Sequence, residues 1–473
     1  MFIKKDQELI WNGKYNILIC LAKLGAGGIE TACITQIREF SKRGYQVYVL
    51  AENGFYADKI KEIKGVTYID FSYESRSSYN LEKVEYVKEI IQKYDIKLVY
   101  IHQVDCVTSV FSACLLTNTP YVAYVHHGIT GVYDVELQIG NMSKAFQTLY
   151  YKMAYKIITI QESSKKENME RFELDESKYE VIPNCIDFNE FKSNSTIDLN
   201  NVLLISRFEK DKKNGVINGL TWFAEYKKIN PEAKLTIIGD GSQKETVKEQ
   251  IKSLGIKCEI LGSRNDVKDI IEQNGIVLGV ARCVQEAIAM KRIAIITGNE
   301  DFQGIVNIEN INKFSYTNFQ DIENGKQDYR KVAEQLYSYK KQDIEKIVEE
   351  NYNWLYDNRN IQDNIFEVED IEKVQNPMES LDKNKVIEVL IGELQYMHTW
   401  MQKEIDRGWD ARDKTEEYYL GREKWNETIL EKKEEELKNI IEKYDKLENE
   451  LKNIKNSKTL KVICKIKKML KRF

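Results

Sequence analysis

The stretch NILICLAKLGAGGIETACI, residues 16–34, passes from an apolar run through a glycine-rich turn into a helical pattern. A short, continuous apolar run of this kind predicts a buried strand. Glycines 25, 27 and 28 permit a tight turn and a close approach of the backbone to a ligand. We expect a helix to begin near Ile29, where unpaired amide groups and a partial positive charge suit an anion.

The same alternation of apolar runs and helical patterns continues along most of the chain. The first set of strand candidates is NILICLA, QVYVLAE, VTYIDF, KLVYIH, YVAYVHH, KIITIQ and YEVIP. After the polar stretch at 189–201, a second set follows: VLLISRF, KLTIIGDG, KCEILGS, GIVLGVA and IAIITG. Continuous apolar strands with helical crossovers predict parallel sheets covered on both faces. The fold class is therefore α/β, with two Rossmann-like domains whose strand ends face one cleft.

Composition divides the 473 residues into four segments. We expect Rossmann-like domains at 1–188 and 189–373, a helical extension at 374–456 and a basic amphipathic helix at 457–473. Apolar residues of the extension follow a heptad pattern at Leu430, Leu437, Ile440, Tyr444, Leu447, Leu451 and Ile454. This spacing suits either a coiled coil that forms a homodimer or a long helix packed on its own protein.

The last nineteen residues, KNSKTLKVICKIKKMLKRF, contain eight Lys or Arg and no acidic residue. In a helix, Val462, Ile466 and Met469 share an apolar face, while Lys461 and Lys468 lie on the opposite side. This pattern is typical of a helix in the interface of an anionic membrane. Docking on the acidic body of the same protein is the alternative.

Net charge, apolar segments and cysteine content indicate which partners and which cellular compartment to expect. The formal net charge of -5 gives no reason to expect nucleic acid as a partner. No signal peptide or apolar segment of membrane-spanning length is visible. The eight cysteines lack any C-x-x-C pair and lie partly within apolar runs, which predicts buried thiols of a cytoplasmic protein.

The glycine-rich turn only partly fits a dinucleotide site. A nicotinamide-binding turn requires G-x-G-x-x-G and an acid after the second strand. Here Glu30 occupies the third glycine position, and Glu52 supplies the acid. A dehydrogenase is therefore an open alternative at this point.

Three stretches in the second half of the chain contain residues that are candidates for ligand binding or catalysis. ISRFEKDKKNG places Arg207 just after a strand, with Lys212 and Lys213 beyond it. IIGDGS ends a strand in a glycine turn, and ARCVQEAIAM places Glu286 at the start of a helix. The planar guanidinium of an arginine and the point charge of a lysine are both suited to phosphate.

In this order, these stretches resemble glycosyltransferase family 4 of the GT-B fold. GGIE after the first strand, HHG after the fifth and VIPNCID at the domain junction add to the likeness, which covers residues 14–320. The resemblance implies a nucleotide-sugar domain at 189–373 and an acceptor domain at 1–188.

The resemblance also implies a role for individual residues. Arg207 and Lys212 would hold the donor diphosphate, and Glu286 would accept hydrogen bonds from the ribose. The glycines of the donor site would be Gly27, Gly28, Gly239, Gly241 and Gly262. Either His126 or His127 would contact the donor sugar or the acceptor, because adjacent residues of a strand point to opposite faces. His102 is interpreted as a core residue.

One position departs from the family pattern. The family carries a second glutamate eight positions before the one matched by Glu286, and here that position is Leu278. Since that glutamate is associated with the donor sugar, we hypothesise that Arg282 compensates for its loss in donor binding.

The sequence thus predicts a retaining glycosyltransferase that uses a nucleotide-sugar donor and a glycan or lipid-linked acceptor in surface polysaccharide biosynthesis. We expect no metal, no cofactor and a peripheral location on the inner face of the cytoplasmic membrane. The alternatives are an NAD-dependent oxidoreductase, a nucleotide-sugar epimerase and an inactive glycan-binding or scaffold protein.

Overall fold

The computed structural model describes residues 14–73, 80–126, 144–193 and 195–380, the backbone of 2–5 and 8–11, and the positions Val389 and Gly392. All of these residues belong to one compact unit, Met1–Met397. The unit contains two large, mainly parallel sheets, each covered by helices on both faces, and one short antiparallel pair of strands.

The chain begins with two short antiparallel strands, β1 (Phe2–Lys5) and β2 (Glu8–Trp11). The first large sheet follows with β3 (Asn16–Lys23), β4 (Gln46–Glu52), β5 (Val66–Asp70), β6 (Ile96–Ile101), β7 (Tyr121–Val125), β8 (Lys156–Thr159) and β9 (Tyr179–Val181). Its order is β5-β4-β3-β6-β7-β8-β9, with every neighbouring pair parallel.

Six described helices connect these strands: α1 (Gly28–Lys42), α2 (Ala57–Lys61), α3 (Leu81–Lys93), α4 (Val107–Thr117), α5 (Lys144–Met153) and α6 (Glu162–Phe172). Strand β3 shows why helices must cover both faces of the sheet. Leu18 and Cys20 pack into one apolar cluster, whereas Ile17 and Ile19 pack into the other, and all four are buried. Alternate side chains of a strand point to opposite faces, so a fully apolar strand requires helices on each.

The second sheet consists of β10 (Asn201–Ile205), β11 (Lys234–Ile238), β12 (Cys258–Ile260), β13 (Ile276–Gly279), β14 (Ile293–Ile296) and β15 (Gly304–Ile305). Its order is β12-β11-β10-β13-β14-β15, and only β15 runs antiparallel to its neighbour. Its described helices are α7 (Lys213–Ile229), α8 (Lys244–Ser253), α9 (Val267–Glu272), α10 (Arg282–Ala289), α11 (Ile311–Tyr316), α12 (Tyr329–Ser338) and α13 (Lys341–Arg359).

The predicted fold class is confirmed, and each of the twelve predicted strands exists. The ends differ by a few residues: the run predicted to reach 127 leaves the sheet after Val125. Strands β1, β2 and β15 were not predicted. The β15 strand is only two residues long, so it has no periodicity to detect.

After α13 the chain returns to the first domain. The Ile186 amide donates to the Arg359 carbonyl at 2.8 Å, so the two connections between the domains lie side by side. Beyond them, Phe366 and Val368 pack into the core of the first domain. The segment that follows α13 thus packs on the first domain, and the boundary at 373 stays a prediction.

The predicted helical extension and basic tail lie outside the described residues after 380, apart from the two positions named above. Val389 packs partly against the core of the first domain. Among the helices that the structure describes, none combines the length and the apolar composition that a bilayer span requires.

Candidate active site

The glycine turn after β3 lies against the second domain. Gly27 caps α1 in an extended conformation, with φ -144° and ψ 167°. A Cβ on Gly28 would lie 3.7 Å from the Cβ of Arg282. The turn therefore brings the first backbone amides of α1 to the boundary between the two domains, and the helix begins one residue before the predicted Ile29.

Glu30 is the acidic residue of this turn, and the sequence assigned it no role in the reaction. Its carboxylate folds back over Gly27, where any Cβ would overlap it. Gln103 donates to the Glu30 carboxylate at 3.4 Å. Burial raises the pKa of Glu30, while hydrogen bonds and the charge of Arg207 oppose that rise. Arg207 of the second domain thus acts electrostatically on the turn of the first.

Two cations stand at the end of β10. Arg207 follows the strand by two residues, and 56% of its side chain is exposed. Lys212 directly precedes α7, and its Nζ lies 3.2 Å from the Oδ1 of Asn299. Burial lowers the pKa of Lys212, and the neighbouring Arg207 lowers it further, against the opposing charge of Asp211. Lys213 is the first residue of α7.

The glycines of the second domain allow strand ends to approach each other closely. The Gly239 amide donates to the Gly262 carbonyl at 3.0 Å. A Cβ on Gly239 would overlap the carbonyl oxygen of Ser206. Gly241 has φ +149°, and a Cβ there would lie 2.6 Å from the carbonyl oxygen of Phe208. The GDG turn is thus required for packing against the segment that carries Arg207.

Glu286 lies one turn inside α10 instead of at its start, since the helix begins at Arg282. Both side chains are buried, and the Nε of Arg282 donates to the Oε1 of Glu286 at 2.9 Å. The other guanidinium nitrogens donate to the Thr35 hydroxyl at 3.0 Å and to the Cys185 carbonyl. Arg282, predicted to bind the donor, therefore has protein partners at all three nitrogens.

Leu278 lies inside β13, is fully buried and belongs to the core of the second domain. Only Val280 and Ala281 separate β13 from α10. A carboxylate at position 278 would lie in this apolar core without a polar partner, so the core position of Leu278 suits an apolar residue and not the glutamate of the family pattern.

The ends of β6 and β7 bring two histidines together. The Nδ1 of His102 lies 3.1 Å from the Nε2 of His126, and both rings are buried. Burial lowers the pKa of His102 to about 3, which keeps this imidazole neutral. The buried Cys33 has its sulfur within 4.8 Å of ligand atoms of both histidines. His127 lies outside the described residues.

Glu52, the acid that a nicotinamide-binding site would use, already accepts hydrogen bonds from side chains of the first domain. Lys23 donates to Glu52 at 2.6 Å, and the Ser72 hydroxyl donates at 3.0 Å. These hydrogen bonds lower the pKa of Glu52. The carboxylate that would bind a ribose in a dehydrogenase is therefore occupied by its own domain.

Two protein families match the chain in succession. Glycosyltransferase Family 4 matches residues 26–190, and Glycosyl transferases group 1 matches residues 186–327. The chain is a GT-B glycosyltransferase of family 4 and group 1. The family assignment decides against a dehydrogenase, and the Arg207 segment, the GDG turn and α10 of the glycosyltransferase all fall within the second match.

Solved structures share the fold of this glycosyltransferase. A glycosyltransferase from Rickettsia africae is 20% identical, with a TM-score of 0.57 over 74% of this chain and 95% of that chain. HepE from Anabaena, solved with UDP and glucose, is 14% identical, with a TM-score of 0.55 over 78% and 100%. At these identities the likeness establishes the fold alone.

The fold is also shared with another class of enzyme. A protein from Listeria monocytogenes assigned as a UDP-N-acetylglucosamine 2-epimerase is 13% identical, with a TM-score of 0.51 over 73% of this chain and 92% of that chain. The family matches, and not the fold, therefore distinguish the glycosyltransferase from an epimerase. No curated protein sequence matches the chain.

Proposed function

We propose that this glycosyltransferase transfers a sugar from a nucleotide-sugar donor to a glycan or lipid-linked saccharide in surface polysaccharide biosynthesis, with retention at the anomeric carbon. The observation that carries the proposal is the pair of cations, Arg207 and Lys212, at the end of β10. Arg207 also acts electrostatically on Glu30 in the glycine turn of the opposite domain.

The chemistry follows from the charge of the leaving group. As the bond between sugar and diphosphate breaks, negative charge accumulates on the phosphate oxygens. Fixed cations stabilise that charge most in the transition state, and so they accelerate the reaction instead of only binding the donor. Arg207 and Lys212 would supply these cations, and Gly27 and Gly28 would present the amides of α1 to donor or acceptor.

The remaining donor contacts come from the second domain. Glu286 would accept hydrogen bonds from the ribose through the carboxylate oxygen that Arg282 does not hold. Gly239, Gly241 and Gly262 would shape the floor on which the nucleotide lies. Because HepE was solved with UDP, UDP-sugars are the first donors to test.

His126 and His127 are the proposed contacts to the reacting sugar or acceptor. His126 is buried beside the neutral His102, so its described partner cannot supply a proton at ordinary pH. His127 is the other candidate for that contact. Replacing His127 with alanine should reduce transfer more than donor binding, which separate measurements of kcat and KM would show.

We propose that transfer needs no metal and no cofactor, because cations of the chain can neutralise the diphosphate. EDTA should leave transfer unchanged. A loss restored by Mn²⁺ or Zn²⁺ would contradict this, and the Cys33, His102 and His126 cluster would then be the first place to search for the ion.

We further propose that residues 457–473 bind an anionic membrane on its cytoplasmic side and that 374–456 form a helical spacer or a homodimer. Each basic residue near an anionic surface contributes about 1 kcal/mol. The intact chain should sediment with vesicles containing anionic lipid, and a chain ending at 456 should not. Sedimentation that ignores lipid charge and salt would contradict the membrane proposal.

A donor panel tests the function itself. Thermal shift with UDP-, GDP- and dTDP-sugars selects the donor, and release of the nucleoside diphosphate with an acceptor measures transfer. An altered sugar nucleotide without acceptor would indicate an epimerase. Folded protein that releases no nucleotide from any donor would support the inactive, glycan-binding alternative.

A further inference from the structure

Arg282 joins three separate parts of the molecule through one side chain. Its Nε donates to Glu286 in its own helix, at 2.9 Å. Its Nη2 donates to the Oγ1 of Thr35, in α1 of the first domain, at 3.0 Å. Its Nη1 donates to the carbonyl of Cys185, in the connection between the domains. Only 7% of the side chain is exposed, so water does not compete for these contacts.

The carboxylate of Glu286 depends on this guanidinium. Its side chain is 8% exposed, and burial raises its pKa, while the charge of Arg282 opposes that rise. A buried carboxylate without a cation is strongly unfavourable. The charge-assisted hydrogen bond from the Arg282 Nε therefore supplies the cation that Glu286 needs and holds its Oε1 in one direction.

Thr35 makes the contact specific to one arrangement of the domains. Its hydroxyl donates to the Thr31 carbonyl at 3.0 Å, which orients a lone pair toward Arg282. Thr35 is buried and moves with α1 as part of the first domain. A displacement of the first domain would break this hydrogen bond and leave a guanidinium N–H without its partner.

We propose that Arg282 is a positioning residue that couples the contact between the two domains to the orientation of Glu286 at the donor site. In this role it acts through Glu286 and does not touch the donor. The inference rests on the proposed function, since it assumes that Glu286 receives the nucleotide. It gives Arg282 a role at the start of α10 in a chain whose position 278 holds a buried leucine instead of the glutamate of the family pattern.

The interface offers a matched control. Lys42 on α1 donates to Asp187, in the connection between the domains, at 2.8 Å. This ion pair joins the same helix to the same region, yet neither residue contacts Arg282 or Glu286 in the hydrogen bonds described. Breaking it tests the effect of a looser interface alone.

The experiment measures UDP affinity by calorimetry and the kcat and KM of transfer for the full chain. Thr35→Val removes the hydroxyl at nearly constant volume, Thr35→Ser keeps it, and Lys42→Met breaks the control pair. We expect Thr35→Val to weaken UDP binding about tenfold, which is the effect of losing one hydrogen bond to a charged group. Thr35→Ser should stay within about twofold of the wild type.

A double-mutant cycle separates coupling from general loosening. If Arg282 transmits the contact, Thr35→Val should change UDP affinity by less than about twofold in a Glu286→Gln background. Lys42→Met should change UDP affinity by the same small factor in the wild type and in the Glu286→Gln variant. Equal effects of Thr35→Val with and without Glu286→Gln, or no effect at all, would overturn the coupling.

Failure of the proposed function gives a different result. In that case the wild type neither binds UDP nor transfers sugar from any donor of the panel, and both the proposed function and the coupling are overturned. If the wild type transfers sugar and Thr35→Val has the same UDP affinity and kinetics, the coupling is overturned and the proposed function is not.

Discussion

The two cations after β10 illustrate how neighbouring residues acquire different properties. Arg207 is largely exposed, and the ion pair that it forms among the described residues is a long one, with Asp211 at 3.6 Å. Lys212 is mostly buried, with 21% of its side chain exposed, beside Asn299 and Asp211. Because an exposed ion pair contributes little to folding, Arg207 is available for a ligand, whereas Lys212 is held in place.

Arg207→Ala should lower kcat/KM for the donor by about 10²–10³-fold, the usual cost of removing a group that stabilises a leaving anion. Its free energy of unfolding should change by less than about 0.5 kcal/mol, because the side chain is mostly exposed. Steady-state kinetics and urea unfolding measure the two effects. Lys213→Ala is the control, and an equal loss of activity in that variant would contradict a special role for Arg207.

The lowered pKa of Lys212 predicts an alkaline limit. The diphosphate binds the ammonium form, so kcat/KM should fall as the pH rises through the pKa of Lys212, which burial has placed below its ordinary value. Lys212→Arg keeps its charge at all these pH values and should lose this descending limb. Donor kcat/KM measured from pH 7 to 10 tests it. The same fall in the arginine variant would assign the titration to another group.

At the scale of elements, the proposed site lies where strands end. The first domain would contribute the turn after β3 and the histidines after β7, and the second would contribute the segments after β10, β11 and β13. Parallel strands place all these ends at one edge of each sheet. The close contact between the ends of β10 and β11 fixes the segment that carries Arg207.

Gly239→Ala tests that contact. The added methyl group would overlap the Ser206 carbonyl, so the backbone must move, and we expect a loss of about 3 kcal/mol in the free energy of unfolding. Gly25→Ala is the matched control in the other glycine turn, since a Cβ there meets nothing within 4 Å. Urea unfolding compares them, and equal stabilities would show that the close approach is not required.

At the scale of the whole molecule, the return of the chain after α13 ties the two domains together. Glu367 in this return accepts hydrogen bonds from Lys14, Arg43 and Tyr45 of the first domain. Burial raises the pKa of Glu367, but these three donors outweigh it, so the net pKa lies below its ordinary value. The return segment is thus anchored by one carboxylate and the apolar residues beside it.

Glu367→Ala should lower the free energy of unfolding by about 2 kcal/mol near neutral pH, because two partly buried cations lose their partner. The deficit should shrink as the pH falls through the lowered pKa of Glu367, where the wild type also loses the charge. Glu369→Ala, at an exposed position two residues on, should be neutral. A constant deficit from pH 7 to 3 would contradict the electrostatic explanation.

The sequence alone determined the two parallel sheets and the residue types at their edges. Apolar runs such as residues 16–22 and 46–52 mark strands because burial on both faces confines their polar residues to the ends, at Asn16, Gln46 and Glu52. The order of Arg207, the GDG turn and Glu286 along the chain was also readable, and the second family match covers it. These features are local, so a linear pattern preserves them.

Only the tertiary structure decided what each side chain touches. Spacing placed Arg282 near Glu286, but its bonds to Thr35 and Cys185 join residues far apart in the chain. The pairing of His102 with His126 and the return of Phe366 to the first domain have the same origin. Such contacts form when elements that are distant in the chain pack together. The residue pattern within one segment does not show which other segment it will contact.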